Sequence, residues 1–134
     1  MDIIVYKPEG APSAAVLCVN EEINMATFPK IDQAARNEVA SGVRNVVIDL
    51  TAVPYMTSAG IRLLTGLFKL LRGDSAGETE EAMRQGLRDG TFHSPHLKLV
   101  NPNIAVREVL QTSGMDMLLG IYATVDEAVA SFAA

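Results

Sequence analysis

The chain has 134 residues, 49% of them hydrophobic and 20% charged, with a formal net charge of −5. That length and composition suit one globular domain with one core, and exclude a disordered chain. An acidic chain with scattered Lys and Arg is a poor match for a phosphate backbone, and no apolar run reaches the about 18–20 residues of a membrane span. Neither nucleic acid nor membrane is therefore an expected partner.

Residues 2–6, DIIVY, are β-branched and aromatic, and 14–19, AAVLCV, form a second short apolar run. The KPEGAPS segment between them has hairpin-loop chemistry, so the two runs are expected to pair antiparallel. The first ten residues have no basic stretch leading into an apolar one and do not read as a secretion signal; the expected location is cytoplasmic. Cys18, the single cysteine, reads as a buried and inert thiol.

Residues 26–42 read as a helix, with Thr27 as N-cap, Pro29 in the first turn, Phe28, Ile31, Ala35 and Val39 at helical spacing, and Gly42 as the stop. Residues 44–50 follow as a strand whose near-continuous apolar run, Val46, Val47, Ile48 and Leu50, predicts burial on both faces. Residues 51–60 lead out of it. The helix over 58–73 has the clearest pattern in the chain. Ile61, Leu64, Leu67, Phe68 and Leu71 form one stripe, widened by Leu63 and Leu70, and Ser58, Arg62, Thr65, Lys69 and Arg72 lie opposite.

Residues 73–96 change character to Gly, acidic and polar residues. They read as an inserted excursion of low order, with a short helix expected over 78–89 from the Glu80–Arg84 pair. His93 and His96 fall here, too few ligands for a metal centre. With one Cys in the chain no zinc pattern forms, and no cofactor is expected. Beyond lie a strand at 96–100, a helix over 101–114 with Asn101 as cap and Pro102 first, a strand at 117–122, and a final helix over 124–134. The last opens on a Thr124–Glu127 capping box. The order β-β-α-β-α-β-α-β-α predicts an α/β fold: a mixed, mostly parallel sheet of about five strands with four helices and the insertion after the second helix.

The chemistry concentrates in VVIDLTAVPYMTSAGIRLL, residues 46–64, where a buried strand turns into a helix start. From the residues alone Ser58 reads first as a helix cap. The same position favours an anion, because free amides and the macrodipole place partial positive charge there. A phosphate on Ser58 would add about −1.5 to −2 charges, with Arg62 one turn on to pair with it. Gly60 is expected to keep the first turn open to another chain.

This stretch resembles the signature of STAS domains. The matched residues are Asp49, Leu50, Tyr55, Met56, Ser58, Gly60 and Ile61, and the ending from Asn101 onward is similar in layout. The resemblance implies a STAS domain over residues 1–134, with 73–96 inserted, and the function of an anti-sigma factor antagonist. Such a protein binds an anti-sigma factor that is a serine kinase and is released when the serine at this helix start, here Ser58, is phosphorylated. A serine/threonine phosphatase resets it. Thr57 stands where many members have an acidic residue and is a second candidate acceptor. Asn20, Glu21 and Met25 are expected at the same end of the sheet, and with Thr57, Ser58, Gly60 and Arg62 they make the candidate partner surface. A homodimer is left open. Asp49 is expected to be structural.

Two other readings compete. A hydrolase nucleophile elbow needs Gly two residues before the Ser, where this chain has Met56, and no phosphate-binding glycine loop is present; an enzyme is not expected. A STAS scaffold or small-ligand sensor that never cycles through phosphorylation is the alternative.

Overall fold

The computed structural model describes residues 3–9, 13–72 and 96–132. Five strands run through them: β1 (Ile3–Tyr6), β2 (Ala14–Val19), β3 (Asn45–Asp49), β4 (Leu97–Val100) and β5 (Gly120–Tyr122). Five helices accompany them: α1 (Phe28–Ala40), α2 (Ser58–Arg72), α3 (Ile104–Ser113), α4 (Met115–Leu118) and α5 (Val125–Phe132). The sheet order is β1-β2-β3-β4-β5. β1 and β2 pair antiparallel, Ile3 opposite Val19. The other three pairings are parallel, with Cys18 opposite Asp49 and Asp49 opposite Val100.

From β2 onward each crossover steps the same way along the sheet. Right-handed crossovers must then lay their helices on one face. The core shows this. Ala15, Leu17, Val46, Ile48, Leu97 and Leu99 point into a large cluster with Ile31, Leu63, Leu64, Leu67 and Leu110 of the crossover helices. Alternate residues of the same strands, Val16, Val47 and Val100, point to the opposite face, where Ala128, Val125, Val129 and Phe132 of α5 cover them. β3 is thus buried on both faces, as its apolar run predicts. Under α5 lies one buried cation: Lys98 is 8% exposed, with its Nζ 5.7 Å from the ring centres of both Tyr122 and Phe132. Facing rings favour a cation that burial would otherwise penalise.

Several expectations are corrected. The run 117–122 is not one strand. Gly114, at φ +80, ends α3 in the left-handed conformation, and the chain then winds one more helical turn as α4. Met115, Leu118 and Leu119 sit at helical spacing and turn toward the large core, so packing favours the turn over extension. Five helices therefore stand among the described residues where four were expected. α3 begins at Ile104, capped by Asn103, not at Asn101; Asn101 has φ +49 and Pro102 lies buried before the helix. Thr27 occupies the N-cap position of α1 but makes no capping bond. Its hydroxyl instead accepts from the Asn24 amide at 3.0 Å and donates to the Glu22 carbonyl at 2.8 Å. Cys18 is half-buried where full burial was expected. Its thiol donates to Asp49 at 3.8 Å, and burial, then the Asp49 charge, push its pKa up, which favours the protonated thiol. The helix expected over 78–89, and His93, lie outside the described residues.

Candidate functional site at the carboxyl end of the sheet

Open α/β sheets present their functional loops beyond the carboxyl ends of the parallel strands. Three such loops meet here. The loop between β3 and α2 (50–57) is the central one, and it is tied from both sides. On one side Ile23, in the loop after β2, forms an isolated parallel bridge with Met56. Its amide donates to the Tyr55 carbonyl at 3.1 Å, and its carbonyl accepts from the Thr57 amide at 2.9 Å. On the other side Asn103 donates from Nδ2 to the carbonyls of Val53 and Pro54 at 3.2 and 3.1 Å. At the start of the loop Asp49 accepts from the amide and hydroxyl of Thr51 at 3.0 and 2.6 Å. Those contacts give Asp49 an organising role in the turn.

The start of α2 differs in detail from the sequence expectation. Thr57, not Ser58, caps the helix: its hydroxyl accepts from the Ala59 amide at 3.2 Å and its carbonyl accepts from the Gly60 amide at 2.9 Å. The Thr57 hydroxyl also lies 3.4 Å from the Ile23 carbonyl, to which it can donate. Ser58 is the first helical residue and is exposed. Its hydroxyl is therefore released from the capping role and faces solvent at the positive end of the helix. No acidic residue occupies the first turn, and Arg62 stands exposed one turn on.

Gly60 has an internal role. It is buried, and a Cβ built there would come within 2.0 Å of the Met56 sulfur and 3.3 Å of Ile23. Met56 is itself fully buried, so the glycine makes room for the side chain that anchors the loop. This corrects the expectation that Gly60 admits another chain. Asn20 and Met25 are exposed, Met25 by 65%. Glu21 is half-buried and ion-paired with Lys30 of α1 at 2.7 Å.

Sequence reasoning missed the contribution of α3. A groove of about 390 Å³ runs between α2 and α3. Tyr55, Met56, Ile61 and Val109 make it largely apolar, with Ser58 and Glu108 also in its wall. Tyr55 and Ile104, 44% and 78% exposed, stand with Met25 as the large exposed apolar residues in these three loops and at the start of α3. The signal available was NPN at 101–103, whose second Asn could cap α3 while reaching back to the neighbouring loop.

His96 lies at the other end of the sheet. Its Nδ1 is 2.9 Å from Asn45 Oδ1, and burial, then the charge of Lys98, hold its pKa below the ordinary value of 6.5. Among the described residues no cluster of three or more His, Cys, Asp or Glu is arranged to hold a metal ion, and no helix is long and apolar enough to cross a membrane.

A mixed five-stranded sheet with this arrangement of strands and helices has counterparts. The family model described as the STAS domain matches residues 4–76, more than half of the sequence. The chain belongs to the STAS domain family. Its structure is similar to that of an anti-sigma factor antagonist from Mycobacterium paratuberculosis, at a TM-score of 0.74 and 24% identity, covering 98% of this chain and 93% of that one. It is also similar to the anti-sigma factor antagonist SpoIIAA in its unphosphorylated form, at a TM-score of 0.69 and 18% identity over 95% and 92% of the two chains. For the Bacillus cell fate determinant SpoIIAA in the phosphorylated form the values are 0.63, 17%, 96% and 96%. At these identities the likeness is one of fold. No curated protein sequence matches the chain.

Proposed function

We propose that this STAS domain is an anti-sigma factor antagonist whose partner binding is switched by phosphorylation of Ser58. The observation that carries the reading is the division of labour at the start of α2. Thr57 is half-buried and occupied with capping and with the Ile23 carbonyl, whereas Ser58 beside it is exposed. A kinase can reach the Ser58 hydroxyl without opening the fold, and reaching Thr57 would cost its cap. Similarity to structures named as anti-sigma factor antagonists supports the general role.

Unphosphorylated, Ser58 lies at the same end of the sheet as the exposed Met25, Tyr55, Ile104 and Asn20, with the cation Arg62 one turn on. A serine-kinase anti-sigma factor bound there can satisfy one hydroxyl with a hydrogen bond. A phosphate would bring a dianion to the same place, which must be desolvated or the complex fails. Moving the partner from mostly bound to mostly free takes about 5 kcal/mol of differential affinity, within reach of an uncompensated buried charge. A serine/threonine phosphatase returns the domain to its binding state. The protein acts by binding, in the cytoplasm, and not by catalysis.

The test is to incubate the full chain with its kinase and ATP and measure intact mass and complex formation. A single added phosphate that disappears in Ser58→Ala and remains in Thr57→Val is the expected result. A tight complex that survives Ser58→Asp would sink the charge mechanism.

The groove between α2 and α3 favours a second reading, in which the domain senses a small apolar ligand and never cycles through phosphorylation. Its volume of about 390 Å³ falls within the range of small-molecule sites. A chain that its kinase leaves unmodified at both Ser58 and Thr57 would favour this reading over the switch.

A further inference from the structure

Among the described residues β1 is the edge of the sheet, hydrogen-bonded on one side only, to β2. Its four residues, IIVY, carry no charge. Ile4, Val5 and Tyr6 are 55%, 37% and 42% exposed, so apolar side chains stand open on both faces of this edge. Among the described residues the helices pack mainly elsewhere: α5 over β3, β4 and β5, and α1 on β2. Edge strands are ordinarily blunted by charge, bulges, Pro or a covering element, because free N–H and C=O groups recruit another strand. The opposite edge, β5, has three residues, and its three side-chain positions are buried or half-buried.

We infer that β1 is the seam of a homodimer, in which β1 of a second copy adds antiparallel to the free edge. This inference is independent of the phosphorylation reading. Antiparallel addition of a strand to itself requires a two-fold axis normal to the sheet. Such an axis keeps each residue on its own face, so residue i can oppose residue j only when i + j is even. The register centred on Val5 obeys this rule and pairs the three exposed residues of β1, Ile4 to Tyr6. It sets Val5 against Val5 of the second copy, and Ile4 against the second copy's Tyr6 twice over. Aromatic and β-branched residues directly opposite are favourable cross-strand pairs. The seam brings no like charges together, which two chains of net charge −5 need. Beside Tyr6 a trough of about 360 Å³, walled by Pro8, Val125 and Val129 together with Glu9 and Asp126, extends toward α5.

A second copy fits this edge better than an unrelated extended peptide, because the symmetric register pairs every exposed β1 side chain with an apolar one. The result is a continuous ten-stranded sheet. Ser58 lies at the carboxyl end of β3, two strands from the seam, so both copies keep that end open and present it in opposite directions.

Analytical ultracentrifugation of the full chain tests this. A reversible dimer with a dissociation constant on the order of 10 µM is expected from a small seam. Val5→Lys places two like charges at the axis and is expected to weaken the dimer at least about tenfold. Ile104→Lys, at a more exposed apolar position away from β1, should leave it unchanged. In a Cys18→Ser background, Val5→Cys should oxidise to a covalent dimer. Directly opposed residues have Cα atoms about 4.5–5.5 Å apart, within disulfide reach. Ile4→Cys, opposite the second copy's Tyr6, should not cross-link. A wild-type chain that stays monomeric to about 1 mM overturns the proposal. So does a dimer indifferent to Val5→Lys, or cross-linking as ready from Ile4→Cys as from Val5→Cys. The cross-linking arm keeps the test decisive even if Val5→Lys folds poorly.

Discussion

Two helices start side by side at the carboxyl end of this sheet, and they are built for opposite purposes. At α3 one side chain does everything: Asn103 accepts from the Val106 amide at 2.9 Å and donates to the carbonyls of Val53 and Pro54. It is a cap and a tie to the neighbouring loop at once, and it is committed to the fold. At α2 the same duties are split over two residues. Thr57 caps and ties, and Ser58 is left over, exposed at the helix end. Under the proposed switch, a residue that is modified and restored repeatedly should not also hold the fold together, and displacing the structural work by one position avoids that conflict.

The largest expected effect separates the two starts by function. Ser58→Asp should abolish partner binding, a loss of at least about a hundredfold, with the melting temperature nearly unchanged, because surface substitutions away from caps cost little. Ser58→Ala should bind and take no phosphate. Isothermal titration calorimetry against the kinase, with thermal melts in parallel, reads both. If Ser58→Asp melts far below wild type, Ser58 carries structural work after all and the contrast with Asn103 collapses.

Gly60→Ala comes next. Its methyl would enter the space of the buried Met56 side chain, and overpacking of this kind costs about 1–3 kcal/mol. Pairing it with Met56→Ala should recover part of that loss in a double-mutant cycle by chemical denaturation. Additive losses would mean the two residues do not share the space. Asn103→Ala should cost about 2 kcal/mol, combining a lost cap with weakened ties to the loop. It should also raise amide exchange at residues 53–57, which a cap with no tying role would leave alone.

Thr57→Val should cost about 1 kcal/mol, the ordinary worth of a cap, and Thr57→Ser should restore most of it. The smallest effect belongs to the opposite end of the sheet. His96 has its pKa held below 6.5 in the folded state, so the unfolded chain binds the proton more readily. Its contribution to stability is complete above about pH 6.5 and declines as the pH falls toward the folded pKa. His96→Gln should flatten denaturation midpoints measured between pH 5 and 7 (the window of an ordinary His). An unchanged slope would show that His96 titrates alike in both states.

Much of this was legible in one dimension. Val46, Val47 and Ile48 announce a strand buried on both sides, and that strand is central. The stripe of leucines in α2 faces the core as its spacing predicts. The Thr124 capping bond to the Glu127 amide forms at 3.1 Å. The misses share a cause. Asn101 and Asn103 both precede an apolar helical pattern, and local propensity favours either as a cap. Asn103 is chosen because only there can one side chain also reach the loop after β3. Met115 to Leu119 reads as strand or as helix by composition; the large core takes its side chains at helical spacing. Ser58 and Thr57 are both good cap residues, and the deciding bond runs from Thr57 to Ile23, 34 positions earlier in the chain.

Local sequence pattern was thus enough for the five strands and the four longer helices in order, for a central strand buried on both faces, and for singling out Asp49 to Arg62 as the candidate site. Periodicity and turn chemistry are local properties, and they survive without knowledge of neighbours. Packing between distant segments settles which hydroxyl caps α2 and which is exposed, why Gly60 has no room for a side chain, and that β1 is an apolar edge among the described residues. Each of those depends on what a distant segment brings to within a few ångströms, which no local pattern encodes.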